Sequence, residues 1–427
     1  MKVLVIGSGG REHALVRTLA RTTGISVTCV PGNAGIAADA RVFAIESGAI
    51  DELSSFADRE CFDLTVVGPE LPLDLGVVDR FRALGHHIVG PSRAAAQLEC
   101  SKAFAKAFMT RHGIPTARFR VCDSAADAHN VIARGELGMP VVIKADGLAA
   151  GKGVVVAADR AEADAAIRAM MEERQFGRAG ARVVIEECLS GPEVSFFVLC
   201  DGRNAIPLGS AQDHKRVFDD DRGPNTGGMG AFAPSTLMDA ALQARVLREI
   251  VGPVVAGMRA EDHEYCGFLY VGLMLTCDGP KVIEFNVRFG DPEAQVVLPL
   301  LDLDLPALLA AAAAGDLGAR VVTRATAEVA VGVVLASGGY PGPVKTGVPI
   351  RGIDAAARIP GVEVFHAATA RQGDELVTAG GRVLTVVGRA PTFDRAIALA
   401  YEGVAQISFE GMHYRRDIGQ KAKLARA

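Results

Sequence analysis

The chain predicts a multidomain protein of mixed α/β and α+β class: an open parallel βαβ sheet at the N-terminus, a central α+β region with a lid, and a β-rich C-terminal region. Three observations predict it. In the first hundred residues short apolar runs alternate with amphipathic segments, the rhythm of a parallel sheet wound with helices. Residues 141–157, VVIKADGLAAGKGVVVA, set two β-branched runs around a glycine-rich, lysine-tipped loop, which reads as a hairpin. From about residue 327 the pattern turns strand-rich and glycine-punctuated, through EVAVGVVLASGGYPG and GGRVLTVVGRA.

In chain order, the N-terminal strands are KVLVIG, SVTCV, DLTVVG and HHIVG, with helical segments at 11–21 and 72–84. The loops 7–10, 31–35 and 68–70 follow strand C-terminal ends, where open α/β sheets bind ligands. A small anionic or polar ligand is expected there. From Ser101 the pattern changes to a helix at 102–112, ended by Gly113 and Pro115, and then the hairpin. A helix at 160–173 and the strand RVVIEECL at 182–189 complete a compact lid. Strands around EVSFFVLC lead to a long irregular loop at 212–232, a helix at 239–260, and the paired strands GFLYVGLMLTC and PKVIEFNVRF. An alanine-rich helix at 305–314 precedes the C-terminal region, taken as a separate domain that closes with a helix near 392–406.

At 427 residues the chain has room for two to four domains at ~100–200 residues each. A net charge of −5 argues against a nucleic-acid-coating surface, leaving small molecules as the expected partners. The eight cysteines are scattered, with no C-x-x-C pair, and read as thiols in a reducing compartment. The apolar run 3–6 is too short for a signal-peptide core, and no stretch approaches the ~20 residues of a membrane span. A cytoplasmic monomer without membrane or nucleic-acid partners is the expectation.

The hairpin loop carries Gly147, Gly151 and Gly153, which let backbone approach a ligand closely, with Lys144 and Lys152 adding positive charge. A Walker loop would need Ser or Thr after the lysine and then a helix; here Gly153 and VVVA follow, so a phosphate would lie under a hairpin. An ordinary flexible tip is the alternative. Glu284 and Asn286 alternate with Phe285 and share one strand face, a carboxylate and an amide oxygen suited to Mg²⁺ that keeps its waters and shares substrate phosphates. Arg288 would extend that face with a guanidinium for the same phosphates. A solvated strand face accounts for the triplet equally well. Glu186, Glu187 and Glu193 near the lid strand's end suit ribose hydroxyls, with backbone at 187–189 for adenine, or are simply exposed acids. The loop 212–232 mixes Asp213, His214, Lys215 and Arg216 with Asn225 and Thr226, opposed charges able to hold an amino acid. The N-terminal GSGGRE lacks the third glycine of the dinucleotide fingerprint, Glu12 standing there, so an NAD-dependent oxidoreductase is disfavoured. No H-E-x-x-H or G-x-S-x-G spacing occurs.

Together these segments closely resemble the phosphoribosylamine–glycine ligase family of the ATP-grasp superfamily. The resemblance rests on GSGGREH, PGNAG, VGPE, VIKADGLAAGKGV, QDHKRV, GPNTGGMGA and VIEFNVRFGDPE, all in the family's order and spanning almost the whole chain. It implies a pre-ATP-grasp N-terminal domain at 1–100, an ATP-grasp domain at 101–326 with a mobile lid at about 119–190, and a C-terminal domain at 327–427. It implies that ATP, glycine and 5-phosphoribosylamine become glycinamide ribonucleotide, ADP and phosphate through glycyl phosphate, in purine synthesis, with Mg²⁺ or Mn²⁺. Arg288, Lys144 and Asp213 would be catalytic. Lys102, Lys144, Gly147, Gly151, Lys152, Gly153, Glu186, Glu187, Leu189 and Glu193 would bind ATP, and Glu284 and Asn286 the metal. Gly9, Gly10, Asn33, Glu70, Asp213, Asn225, Thr226 and Arg288 would bind the other substrates. Another ATP-grasp carboxylate–amine ligase, or a non-catalytic ATP-binding protein of the same fold, are the alternatives; the retained Lys144, Lys152, Glu284, Asn286 and Arg288 speak against the second.

Overall fold

In the computed structural model, which describes residues 1–148, 153–318 and 327–424, the first five strands form a parallel sheet. These are β1 (Lys2–Gly7), β2 (Ser26–Pro31), β3 (Arg41–Val42), β4 (Leu64–Val67) and β5 (Ile88–Val89), in the order β3-β2-β1-β4-β5. Helices cover both faces, which is why β1 reads as an unbroken apolar run: Val3, Leu4, Val5 and Ile6 are all fully buried. The strand order reverses between β1 and β4, so the loops at 7–10 and 68–70 meet at the crevice where such sheets bind ligands.

The lid is a four-stranded sheet of its own. Strands β6 (Phe119–Cys122), β7 (Val141–Ala145), β8 (Val154–Ala157) and β9 (Val183–Glu187) pair in the order β6-β9-β7-β8. Helices Ala125–Arg134 and Arg160–Ile167 pack on it around Ile132, Ile143, Ile167 and Ile185. The expected hairpin is β7 and β8, paired antiparallel from Val141↔Ala157 to Lys144↔Val154. Gly151 and Lys152 lie outside the described residues.

Eight strands build the large sheet. Along the chain come β10 (Glu193–Asp201), β11 (Ala205–Asp213), β12 (Arg216–Phe218), β13 (Arg222–Asn225), β14 (Gly230–Ala233), β15 (Cys266–Thr276) and β16 (Gly279–Asn286). They are followed by β17 (Val329–Ala336), β18 (Val362–His366), β19 (Thr369–Gln372), β20 (Glu375–Thr378) and β21 (Arg382–Ala390). The sheet order is β16-β15-β10-β11-β14-β17-β21-β18. The C-terminal region has its own core around Val331, Val386 and Ile397, yet its strands continue the central sheet, because β14 pairs with β11 on one side and β17 on the other. The expected boundary at 326/327 adjoins 319–326, outside the described residues.

The segment 212–232 also differs from the irregular loop expected. Its middle is a small hairpin of β12 and β13, turned by Asp220 and Asp221, both at positive φ (58° and 52°) as in a type I′ turn. The eight thiols are free, and among the described residues no helix is long and apolar enough to cross a membrane.

Candidate active site

The site begins with the end of β16. Glu284 and Asn286 sit half-buried on one face while Phe285 points to the core at 2% exposure. Between Gly272↔Glu284 and Leu273↔Val282 the register shifts, so Ile283 bulges out of the β15–β16 ladder. Its carbonyl instead accepts a bond from Lys144 Nζ at 3.1 Å, tying the lid strand β7 to the floor of the cleft. The strand ends at Asn286, but Arg288 stays with the same group: its Nη2 donates to Asn286 Oδ1 (2.9 Å) and to Glu99 Oε1 (2.8 Å), its Nε to Glu70 Oε2 (3.2 Å), and its Nη1 to the Phe289 carbonyl (3.1 Å). These bonds occupy four of the five guanidinium N–H groups and leave one on Nη1. Burial would lower the Arg288 pKa, but Glu99, Glu70, Glu293 and Glu284 outweigh it and hold the pKa above its ordinary value.

Lys144 is buried at 4% exposure and forms a 3.0 Å ion pair with Glu186. Glu186, equally buried, also pairs with Lys106 at 2.7 Å, and Lys106 in turn donates to Thr116 Oγ1. The Glu186 carboxylate therefore bridges two lysines. Burial, partly offset by Glu186, brings the Lys106 ammonium down to about 8. Ser101 caps helix Lys102–Arg111 by accepting from Phe104 N–H, and Asp146 accepts from Ser101 Oγ and Ala103 N–H, 3.0 Å each. Beside them, Lys102 Nζ donates to the Gly147 carbonyl at 3.2 Å. A Cβ at Gly147 would come within 2.6 Å of Ala179 Cβ, so the glycine there is required by packing inside the lid. Gly153 O accepts from Ala145 N–H and closes the described part of the loop. Glu187 is engaged by Arg118 Nε at 2.6 Å and Leu189 is half-buried beyond it.

A second group of charges faces the first. Lys215 reaches Glu193 at 2.9 Å and acts electrostatically on Asp213, Tyr270 and Glu284. Burial would raise the Glu284 carboxyl, yet Lys215, Lys144, Lys102 and Arg288 together hold it below its usual value. Asp213 is raised, by burial first and then by Glu193 and Glu284 against Lys215. Glu293, 4% exposed, accepts from Ser195 Oγ, which lies 3.1 Å from Tyr270 Oη. Burial and the nearby Asp213 push Glu293 up to about 7. Its folded pKa thus exceeds the ordinary ~4.3 of an unfolded Glu, so the stability it contributes is present below that value and is lost as pH rises towards 7. Glu293→Gln should therefore gain Tm relative to the unaltered protein on going from pH 5 to pH 8; a Tm difference independent of pH would refute this assignment.

The N-terminal loops bring the other predicted residues to the cleft in different ways. Glu70 joins directly through Arg288, and the Arg288 and Arg11 guanidiniums overcome burial to keep its carboxyl below the usual range. Gly9 is the N-cap of helix Gly10–Ala20, but its N–H is already taken at 2.6 Å by Glu12, the residue standing where a dinucleotide fingerprint has glycine. A Cβ at Gly10 would collide with the buried Gln295. Asn33 donates to the Ser8 and His366 carbonyls (2.8 and 2.9 Å) and accepts from Gly35 and Ile36 N–H (2.9 Å each), so its amide braces the loop against β18. Thr226 turns inward, its hydroxyl donating to Lys215 O and accepting from Gly228 N–H, and Asn225 ends β13 opposite Arg216.

Lys102, Lys144, Glu70, Glu193, Asp213, Glu284 and Arg288 thus form one set of interacting charges with the Asn286 amide bonded into it, whereas Asn33, Thr226 and Glu187 have their polar groups engaged by the protein. Sequence reasoning missed Glu99, Lys106, Asp146, Glu293, Ser195 and Tyr270. Lys106 had a usable signal, lying one helical turn from Lys102 and hence on the same face.

A cleft of this build, with a four-stranded lid sheet carrying Lys144 and a carboxylate–amide pair at the end of β16, defines an ATP-grasp ligase. The profiles of the Phosphoribosylglycinamide synthetase N domain, ATP-grasp (A) domain and C domain match residues 1–99, 100–294 and 330–421. The chain belongs to the phosphoribosylglycinamide synthetase family. It is 50% identical to the phosphoribosylamine–glycine ligase of Ralstonia nicotianae, with 99% of both chains covered, and 49% identical to that of Vibrio cholerae, covering 99% of this chain and 98% of the relative. The crystal structure of phosphoribosylamine–glycine ligase from Thermotoga maritima superposes with a TM-score of 0.83 at 34% identity, over 98% of this chain and 100% of the other. Biotin carboxylase from Campylobacter jejuni shares the fold at 16% identity, with a TM-score of 0.74 over 100% of this chain and 95% of that one.

Proposed function

We propose that the chain joins glycine to 5-phosphoribosylamine at the expense of ATP, giving glycinamide ribonucleotide, ADP and phosphate, as a cytoplasmic monomer serving purine synthesis. The observation that carries the reading is the convergence of Lys102, Lys144, Lys215 and Arg288 on Glu284, which shares a strand face with Asn286. Phosphoryl transfer needs positioning and charge neutralisation more than a protein nucleophile, and these residues supply both.

Glycine's carboxylate oxygen attacks the γ-phosphorus, the bond to the β–γ bridging oxygen breaks, and ADP leaves. The amine of phosphoribosylamine then attacks the glycyl phosphate carbonyl, phosphate departs, and the amine loses a proton. Lys144, anchored by Glu186, and Lys102 hold the ATP phosphates under the β7–β8 hairpin, and Gly153, together with Gly151 and Lys152 before it in the sequence, is a further candidate for those phosphates. The remaining N–H of Arg288 faces the transferred group. Lys215 and Asp213 offer opposite charges to glycine's two ends, while the crevice around Gly9, Gly10 and Glu70 takes the phosphoribosyl part through groups other than Gly9 N–H, which Glu12 holds. Asn286 Oδ1 has a lone pair left beside its bond to Arg288, and Glu284 faces the same way, so the two fit Mg²⁺ or Mn²⁺. Among the described residues there is no group of three or more His, Cys, Asp or Glu able to hold a metal, so water and phosphate oxygens would complete the shell. Bound there, the cation would neutralise charge on the phosphates.

Omitting substrates one at a time tests the reading. ADP release that requires both glycine and phosphoribosylamine is the expected outcome. Release with another amino acid or amine in their place would assign the chain to a different carboxylate–amine ligase, and no product with all substrates and Mg²⁺ would end the proposal.

A further inference from the structure

The segment 413–421, at the far end of the sequence from the ligase motifs, closes over the hairpin formed by β12 and β13. Its centre is Arg415, a fully buried guanidinium. Nη1 donates to the Arg216 carbonyl (3.0 Å) and to Asp221 Oδ1 (2.9 Å), while Nε and Nη2 grip both oxygens of Asp417 (2.8 and 2.6 Å). Around it, Asp417 accepts from Asp220 N–H, Asp219 accepts from Arg416 N–H, Lys421 pairs with Asp221 at 2.6 Å, and His413 Nε2 meets the Val217 carbonyl at 2.9 Å. Tyr401 Oη fixes the segment from behind, donating to Arg415 O and accepting from Ile418 N–H.

The hairpin needs this support. Its turn places two successive non-glycine residues, Asp220 and Asp221, at positive φ, where a type I′ turn prefers glycine in the second position. Three adjacent aspartates, 219–221, also repel one another, and Arg415 with Lys421 supplies the opposing charge. The base of the same hairpin delivers the site residues. Arg216, whose carbonyl Arg415 holds, directly follows Lys215, and Lys215 sets the charge environment of Asp213 and Glu284.

We propose that Arg415, assisted by Asp417 and Lys421, is a positioning residue for the amino-acid substrate: it stabilises an intrinsically unfavourable turn and so fixes Lys215 and Asp213 in the cleft. The inference rests on the reading above that this loop receives glycine. Arg415→Lys keeps the charge but loses the fork, and should raise KM for glycine about tenfold, the worth of one charge-assisted bond. KM for ATP should stay within about twofold, since Lys144 comes from the lid strand β7 and Lys102 from the helix that precedes the lid. Amides 215–225 should exchange hydrogen faster in Arg415→Lys while those of the lid do not. Adding Asp221→Gly, which gives the turn the residue it favours and removes one repelling charge, should recover most of the glycine affinity and the exchange protection. An unchanged glycine KM, a parallel rise of both KM values, or failure of Asp221→Gly to restore either measurement would overturn the proposal. The exchange measurement needs no substrate. Loss of protection at 215–225 without any glycine-dependent turnover in the unaltered enzyme would sink the ligase reading while leaving Arg415's hold on the hairpin standing, and unchanged exchange beside normal turnover would do the reverse.

Discussion

Glu284→Ala is expected to cut turnover by roughly 10²- to 10³-fold, the usual loss when a group that organises transition-state charge is removed. Folding should change little. Glu284 lies half-buried on the cleft face of β16, whereas the core on the opposite face is carried by Phe285 and Val282, at 2% and 0% exposure. Some stability is lost, because four cations surround the carboxylate and hold its pKa below the ordinary value. That contribution is present above the unfolded pKa and fades as pH falls through the folded one. A Tm lowered by about one to two degrees, for a loss of about 1 kcal/mol, is the expectation. The check is kcat beside a thermal scan. Unaltered kinetics would remove Glu284 from the site, and a collapse of Tm with turnover would make it a folding residue.

Glu186→Ala should be the most destabilising single change in the cleft. Its carboxylate is the shared partner of Lys106 and Lys144, and both ammonium groups are buried with it. Removing one partner of a buried pair leaves uncompensated charge and costs about 3–5 kcal/mol, far more than the net value of the pair itself. The loss should be concentrated in the lid, which has a separate sheet and core, so one whole-protein transition is the wrong measurement. Hydrogen exchange of β7 and β9 reads it directly. Lys106→Met in the Glu186→Ala background should recover part of the stability, since one orphaned charge is gone; strict additivity of the two changes would show that they do not share an interaction. Turnover should fall as well, because Lys144 would then be held only through the Ile283 carbonyl.

How much of this was legible depended on whether a feature was local. The unbroken apolar strands of the first hundred residues announced a buried parallel sheet, and VVIKADGLAAGKGVVVA announced the β7–β8 pair. Glu284 and Asn286 were readable because alternation along a strand is enough to put them on one face. Arg288 joined them even though the strand stops at Asn286, because Glu70 and Glu99 draw the guanidinium across the cleft, and Glu99 stands in a short helix with no motif around it. The hairpin inside 212–232 was hidden for the opposite reason. An Asp-Asp turn lacks the glycine that marks such hairpins, and the compensating charges come from Arg415 and Lys421, nearly two hundred residues later. Asn33 was visible as a polar loop residue, but only the structure reveals that its amide N–H groups reach the Ser8 and His366 carbonyls while its Oδ1 holds the Gly35 and Ile36 N–H groups. Glu293 stood inside a recognised motif, while the Ser195 and Tyr270 hydroxyls that surround it come from β10 and β15.

The Glu12 carboxylate on Gly9 N–H makes the first loop of the N-terminal sheet an already liganded site. A side chain tethered three residues away competes at a high effective concentration, in the millimolar range or above for short links, so a free phosphate seeking that N–H faces a resident rival that never diffuses away. A Cβ at Gly68 would strike the same carboxylate, so the glycine of the neighbouring crossover makes room for the rival. Occupancy of that N–H thus adds to the missing third glycine in disfavouring a dinucleotide at this loop, and replacing Glu12 with glycine would evict the occupant without rebuilding the partner residues a nucleotide needs.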